Sequence, residues 1–345
     1  MIYISLLLMP FTDIIGHEKE IEILKNGILQ NRVPHALIFA GQEGIGKRLT
    51  AIAFAKALNC LKDGNDFCGR CQNCISIDSL SFMDVFLVEP REPDYKGGKV
   101  DHISGTIKEE DITTIQQRIG YIKQKGRKKV CIIDSADKMN RTAQNKFLKT
   151  LEEPSYDSVI ILVTSKPSDL LSTVISRCQR INFRPIKKDL IIEFIKDRMN
   201  ISVEEAYIIA SLSNGSIGEA LKMDKDWILK QRRQWIEHLE GLSVDMPDDT
   251  LKFAEDVAKD DNIDGILEFL KIWYRDMAVC INSCEKLIVN TDMLTLLKKH
   301  CMNTDFEKIR DAFALLAKIK EDIMPPRYAN KQLAMESLFV RMIQK

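Results

Sequence analysis

Apolar positions along this chain fall into two regimes. Up to about residue 184, short apolar runs alternate with longer stretches whose apolar positions recur every three or four residues. A short apolar run between turn residues suits a strand buried on both faces, and a period near 3.6 suits an amphipathic helix. The alternation therefore predicts a parallel α/β sheet. The predicted strands are residues 36–39, 85–88, 130–133, 159–164 and 179–183, with a helix over 49–58 after the first. Past Pro185 the strand-like runs stop. Residues 186–223 predict a small helical bundle, and from about 226 the pattern is helical throughout, with long amphipathic stretches such as 266–279. Residues 89–105, with two prolines and three glycines, read as a mobile surface loop.

Composition narrows the function classes only a little. A chain of 345 residues suffices for two or three domains. Lys+Arg and Asp+Glu both number 50, so no global positive charge points to nucleic acid; such contact has to come from a local patch or from partners. Nine cysteines without a secretory signal point to a reducing compartment, where clustered thiols hold metal more often than they form disulfides. The apolar run 2–9 lacks a basic leading segment and a small-residue cleavage site, and it is too short to span a bilayer. Met9 before Pro10-Phe11 offers an alternative start, so residues 1–10 are set apart as an N-terminal extension. The expected location is the cytoplasm, with no membrane partner.

Four local patterns carry candidate chemistry. Gly41-Gln-Glu-Gly-Ile-Gly-Lys47 lies between a predicted strand and a predicted helix, as a phosphate-binding loop must. Glycines such as Gly41, Gly44 and Gly46 let backbone N–H groups close around phosphates, and Lys47 reaches the terminal ones. The next position normally supplies a Mg²⁺-ligating hydroxyl but here is Arg48. Asp134, at the end of an apolar strand, stands where a second Mg²⁺-holding acid is expected, and Ser135 stands where hydrolytic enzymes carry a water-orienting glutamate. A lone Asp at a strand end can also be an ordinary helix cap.

Cys60, Cys68, Cys71 and Cys74 have spacings that wrap four thiolates around one tetrahedral ion. Zinc is favoured over an iron–sulfur cluster because Cys74 is not followed by the ferredoxin continuation, and four protein ligands make the site structural. Lys123, Lys125, Arg127, Lys128 and Lys129 form a basic cluster, readable either as a solvated loop or as a phosphate-backbone contact. Ser176-Arg177-Cys178 is either a surface salt-bridge element or a guanidinium that reaches a neighbouring chain's γ-phosphate.

Together these strings resemble the AAA+ clamp-loader family of bacterial DNA polymerase III. The resemblance is carried by His35-Ala-Leu-Ile-Phe-Ala-Gly41, the four cysteines, Lys129-Val-Cys-Ile-Ile-Asp134, Asn145-Lys-Phe-Leu-Lys-Thr-Leu-Glu-Glu-Pro154, Ser176-Arg-Cys178 and Asn214-Gly-Ser-Ile-Gly-Glu-Ala-Leu221. The C-terminal third contributes its helical character and Trp273-Tyr-Arg-Asp276. The resemblance implies a RecA-like domain over 11–184 with the zinc module at 60–74, a helical lid over 185–225 and a helical collar over 226–345. It implies a heteropentamer with gamma/tau and delta subunits that uses ATP to place a sliding clamp on primed DNA, within a DNA-directed DNA polymerase (nucleotidyltransferase) holoenzyme.

Arg48, Ser135 and Gly218, the last standing where active relatives carry a γ-phosphate-sensing arginine, depart from the hydrolysing members. Thr164 remains as a polar sensor. The resemblance thus points to a stator that lends Arg177 in trans, with ATP and Mg²⁺ held weakly or not at all at Gly41, Gly44, Gly46, Lys47 and Asp134. Two other readings stay open: an active gamma-like ATPase, and a zinc-containing nucleic-acid-binding module with a vestigial phosphate loop.

Overall fold

The computed structural model describes residues 10–90, 105–121, 125–223, 232–242, 247–260, 262–302, 304–323 and 329–343. Residues 1–9 of the N-terminal extension, most of the 89–105 loop and Lys123 lie outside them. The chain forms two compact units: one runs to Ile191 and adds Gly215–Gly218, and the other takes Ile192–Asn214 and everything from Glu219 on.

The first unit begins with α1 (Glu18–Leu29), β1 (Ala36–Ala40), α2 (Lys47–Asn59), α3 (Gln72–Asp78) and β2 (Val85–Val88). It continues through α4 (Glu109–Gly120), β3 (Lys129–Ile133), α5 (Arg141–Glu152), β4 (Ser158–Thr164), α6 (Ser172–Ile175) and β5 (Gln179–Asn182). The five strands form one sheet in the order β2-β3-β4-β1-β5, and every pairing is parallel. Each predicted strand is present, with ends within a residue of expectation. β1, β3 and β4 are buried at every position, which is why they read as unbroken apolar runs.

On one face Ala36, Ile38, Cys131, Ile133, Ile160 and Leu162 meet apolar side chains of α4 and α5, including Ile112, Ile115, Ala143 and Phe147. α2 is almost wholly buried, and its run of alanines lets it lie close to the strands it packs on. One consequence of the parallel order is that the strand ends after β1, β3 and β4 sit side by side. They carry Gly41, Asp134 and Thr164 to one edge of the sheet.

α7 (Lys188–Met199), α8 (Val203–Leu212) and α9 (Ile217–Lys222) follow, then α10 (Arg232–Gly241), α11 (Pro247–Lys259), α12 (Ile263–Ile281), α13 (Leu294–Met302), α14 (Phe306–Ile323) and α15 (Lys331–Ile343). α12 packs on α11, α13 and α14 and buries Ile266, Phe269, Leu270 and Trp273. Asp276, also on α12, is fully buried. Its Oδ2 accepts bonds from the backbone N–H groups of Val289 and Asn290, at 3.0 and 2.8 Å, and from Asn290 Nδ2 at 2.8 Å. Arg232 on α10 donates to Asn290 Oδ1 at 2.9 Å and pairs with Asp292. Trp273 and Asp276, the recognisable string of the C-terminal third, are thus a core filler and the anchor of the segment after α12.

Candidate functional site

The phosphate loop joins β1 to α2. Gly41 has no room for a side chain: a Cβ there would lie 2.4 Å from the Phe183 carbonyl oxygen. Gly44 and Gly46 adopt left-handed backbone at φ 73° and 102°, which a side chain would strain. Beneath the loop, His17 Nε2 is bonded to the Ile45 carbonyl at 2.7 Å.

Lys47 opens α2 and turns inward. Its Nζ donates to the carbonyls of Gly41 at 2.7 Å and Gln42 at 2.5 Å, and burial lowers its pKa against the pull of Asp134, Glu43 and Asp137. Arg48 Nη1 lies 3.3 Å from Asp134 Oδ2 and also pairs with Glu89, the residue after β2. Burial raises the pKa of Asp134; Arg48 opposes this most strongly. The Ser135 N–H donates to the other Asp134 oxygen at 2.9 Å. Thr164 Oγ1 donates to Asp137 Oδ1 at 2.5 Å.

Gly218 completes the group from far along the chain. Its N–H donates to the Gly44 carbonyl at 2.8 Å, and a Cβ there would sit 2.7 Å from Gly44 Cα. A guanidinium therefore stands on the strand-end acid, and bare backbone rests on the loop.

The four cysteines come together at the far end of α2. Cys60 caps that helix and Cys71 begins α3. All four sulfurs lie within 4.8 Å of one another, with Cys60 Sγ 3.6 Å from Cys68 Sγ and 4.0 Å from Cys71 Sγ, so the cluster can hold one metal ion. Backbone N–H groups aim at the sulfurs: Lys62 and Cys68 at Cys60, Cys71 at Cys68, and Cys74 at Cys71, at 3.3–3.5 Å. Burial works to raise the Cys71 pKa, but donors from Leu61 and Cys74 outweigh it and bring the thiol down to about 6. Cys74, more deeply buried, is pushed up. The module is fixed to α2 by buried Lys56, which pairs with Asp78 and lies 4.8 Å over the Phe67 ring.

The basic cluster is largely spent within the chain. Arg127 pairs with Asp63 at 2.9 Å, and Lys128 with Asp157 at 2.7 Å. Lys129 is the first residue of β3, buried, and its Nζ donates to the backbone carbonyls of Arg118 and Tyr121. Arg177 lies beyond α6, half-buried, its guanidinium against Glu152. Sequence reasoning missed the parts played by His17, Glu89 and Glu152. Glu89 had a signal, being an acid directly after a strand on the same sheet edge; His17 had none.

A parallel sheet with a phosphate loop after its first strand and an acid after its third defines the class: a P-loop fold of the AAA+ type. Residues 16–187 match the family described as "DNA polymerase III, delta subunit", and residues 228–344 match "DNA polymerase III, delta subunit, C terminal". The chain belongs to that family and is homologous to the delta' and gamma/tau clamp-loader subunits. The DNA polymerase III subunit delta' of Bacillus subtilis is 28% identical over 309 residues, 87% of this chain and 88% of that protein. The tau/gamma subunit of Haemophilus influenzae is 31% identical over 245 residues, 69% of this chain but only 34% of its own length. A solved DNA polymerase III gamma subunit-related protein from Thermotoga maritima shares 19% identity over 94% of this chain and 98% of its own, with a TM-score of 0.43. Among the described residues, no helix is long and apolar enough to cross a membrane.

Proposed function

We propose that this chain is the non-hydrolysing, delta'-type stator of a cytoplasmic clamp loader. It would join gamma/tau and delta subunits in a heteropentamer that places a sliding clamp on primed DNA. Residues 185–225 would serve as lid and 226–345 as the assembling collar. The observation that carries the reading is the Arg48 guanidinium on Asp134. A catalytic site holds Mg²⁺ between that acid and a hydroxyl at position 48. Here a side-chain cation stands in that place and pairs with one oxygen of the acid, opposing the approach of a metal cation. Ser135 cannot orient water, and Gly218 cannot touch a phosphate. Arg177 would then serve the nucleotide of an adjacent subunit.

Zinc fits the cysteine cluster. A Zn–S bond of about 2.3 Å in a tetrahedron sets neighbouring sulfurs about 3.8 Å apart, and the 3.6 and 4.0 Å separations bracket that distance. An iron–sulfur cluster would interpose several atoms and spread the thiolates further. With four protein ligands the ion is closed to substrate and holds the fold together.

The test is steady-state hydrolysis by the purified chain. We expect turnover below about 0.1 s⁻¹, against roughly 1–10³ s⁻¹ for typical enzymes. Faster turnover that Lys47→Ala abolishes would show an active gamma-like ATPase instead.

A further inference from the structure

The Arg177 guanidinium is already held, and by a residue with no role so far. Nη2 lies 2.6 Å from Glu152 Oε1. Nη1 donates to the Thr173 carbonyl at 2.9 Å and lies 3.4 Å from Ser176 Oγ. The Thr173 carbonyl belongs to the last turn of α6, where backbone acceptors have no intrahelical partner and a cation is favoured. Glu152 is different. It is the last residue of α5, at the end of the helix that disfavours an anion, so its own helix gives no reason for a carboxylate there.

Nor is stability a sufficient reason. The side chains of Arg177 and Glu152 are 36% and 50% exposed, and an ion pair that wet contributes little to folding. Its effect is geometric. An arginine on an exposed turn samples many rotamers. Holding Nη2 against the Glu152 carboxylate as an ion pair and bonding Nη1 to the Thr173 carbonyl sets both the position and the plane of the fork. The hydrogen bonds found among the described residues use Nη1 alone, so Nε–H is without an acceptor and Nη2 carries only the ion pair. Those two donors form the edge of the guanidinium that can take two oxygens of one phosphoryl group.

We infer that Glu152 is a positioning residue for the Arg177 finger, aligning its Nε/Nη2 edge toward a neighbouring subunit's nucleotide before that nucleotide arrives. The inference rests on reading Arg177 as a finger in trans. It makes Glu152 a contributor to the rate at a site whose phosphate it never touches, since misplacing a reacting group by about 1 Å is enough to lower rates substantially.

The test uses the full clamp-loader complex reconstituted with this chain, reading single-turnover hydrolysis and ATP affinity at the site beside it. Glu152→Ala should slow hydrolysis about 3- to 10-fold with affinity unchanged. Glu152→Gln, which keeps an acceptor oxygen, should retain about half the rate or more. Glu153→Ala, at the adjacent acid, should match the parent. In an Arg177→Ala background Glu152→Ala should add no further loss, because a positioning residue has nothing left to position. No loss in Glu152→Ala, or the same loss with and without Arg177, overturns the inference while leaving the finger standing. A silent Arg177→Ala removes the finger reading and this inference together.

Discussion

Gly218 shows how a single residue can close off a function in more than one way. The family resemblance places an arginine here in hydrolysing relatives, so the first effect of glycine is a missing charge. The second is steric: the Gly218 backbone rests on the phosphate loop, donating to the Gly44 carbonyl where a Cβ would meet backbone at 2.7 Å. Restoring the side chain therefore sets it against main chain, which cannot swing aside as the tip of a flexible side chain can. Gly218→Arg should destabilise the sheet-containing unit by about 1–3 kcal/mol, the usual cost of overpacking, and should leave ATP turnover where it was. A chemical denaturation curve with an unshifted midpoint would show that the segment yields easily. A gain in hydrolysis would show that charge alone was lacking. The same logic holds at Arg48, whose removal would free Asp134 without supplying Ser135 with a carboxylate.

At the scale of elements, the cysteine module is a short excursion between α2 and β2 held at both ends. Its first thiol caps α2, and α3 returns under the Lys56–Asp78 pair. The large apolar side chain that the segment between them buries is Phe67, packed edge-on against Phe11, so an ion held by the four thiols would supply much of the remaining order. We expect one zinc per chain by elemental analysis of protein purified without added metal. Cys71→Ser should raise proteolytic sensitivity and amide exchange over residues 60–80 while the C-terminal helices keep their protection. Metal-free protein with an intact module would refute the assignment.

These elements were readable in advance because their signals are local. Strands β1, β3 and β4 are buried at every position and so spell unbroken apolar runs. The thiols and the loop glycines are fixed by spacing along a few residues. What escaped depends on separation: Arg48 meets Glu89 at 41 positions' remove and His17 meets Ile45 at 28. Glu152 stood within a string useful for its resemblance, but its partner comes from another helix-turn on the far side of β4. Lys129 was read as part of a basic cluster before the strand, whereas β3, buried at every position, takes it in as its first residue, where main-chain carbonyls satisfy it.

For the whole molecule the governing quantity is charge. Equal numbers of acidic and basic residues leave no long-range field to draw in a polyanion, so nucleic-acid affinity would have to come from a concentrated patch. The strongest candidate in the sequence, the cluster before β3, is partly occupied in place: Arg127 pairs with Asp63, Lys128 with Asp157, and Lys129 donates to backbone carbonyls. A phosphate approaching this loop would have to displace those partners, and each displacement offsets part of the counterion release that drives protein–DNA association. The isolated chain should therefore bind primed DNA no more tightly than roughly the 10⁻⁴–10⁻⁶ M of non-specific contacts at physiological salt. Combined substitution of Lys125, Arg127 and Lys128 by alanine should change that affinity by less than about threefold, since Arg127 and Lys128 already hold carboxylate partners and only Lys125 would release counterions in full. Fluorescence anisotropy with a labelled primer–template over a salt series measures both. A dissociation constant near 10⁻⁸ M, with a steep slope that the triple substitution flattens, would identify a zinc-containing DNA-binding module acting alone. Weak binding with a shallow slope would fit the proposed stator role, in which any DNA contact would be made within the assembled loader.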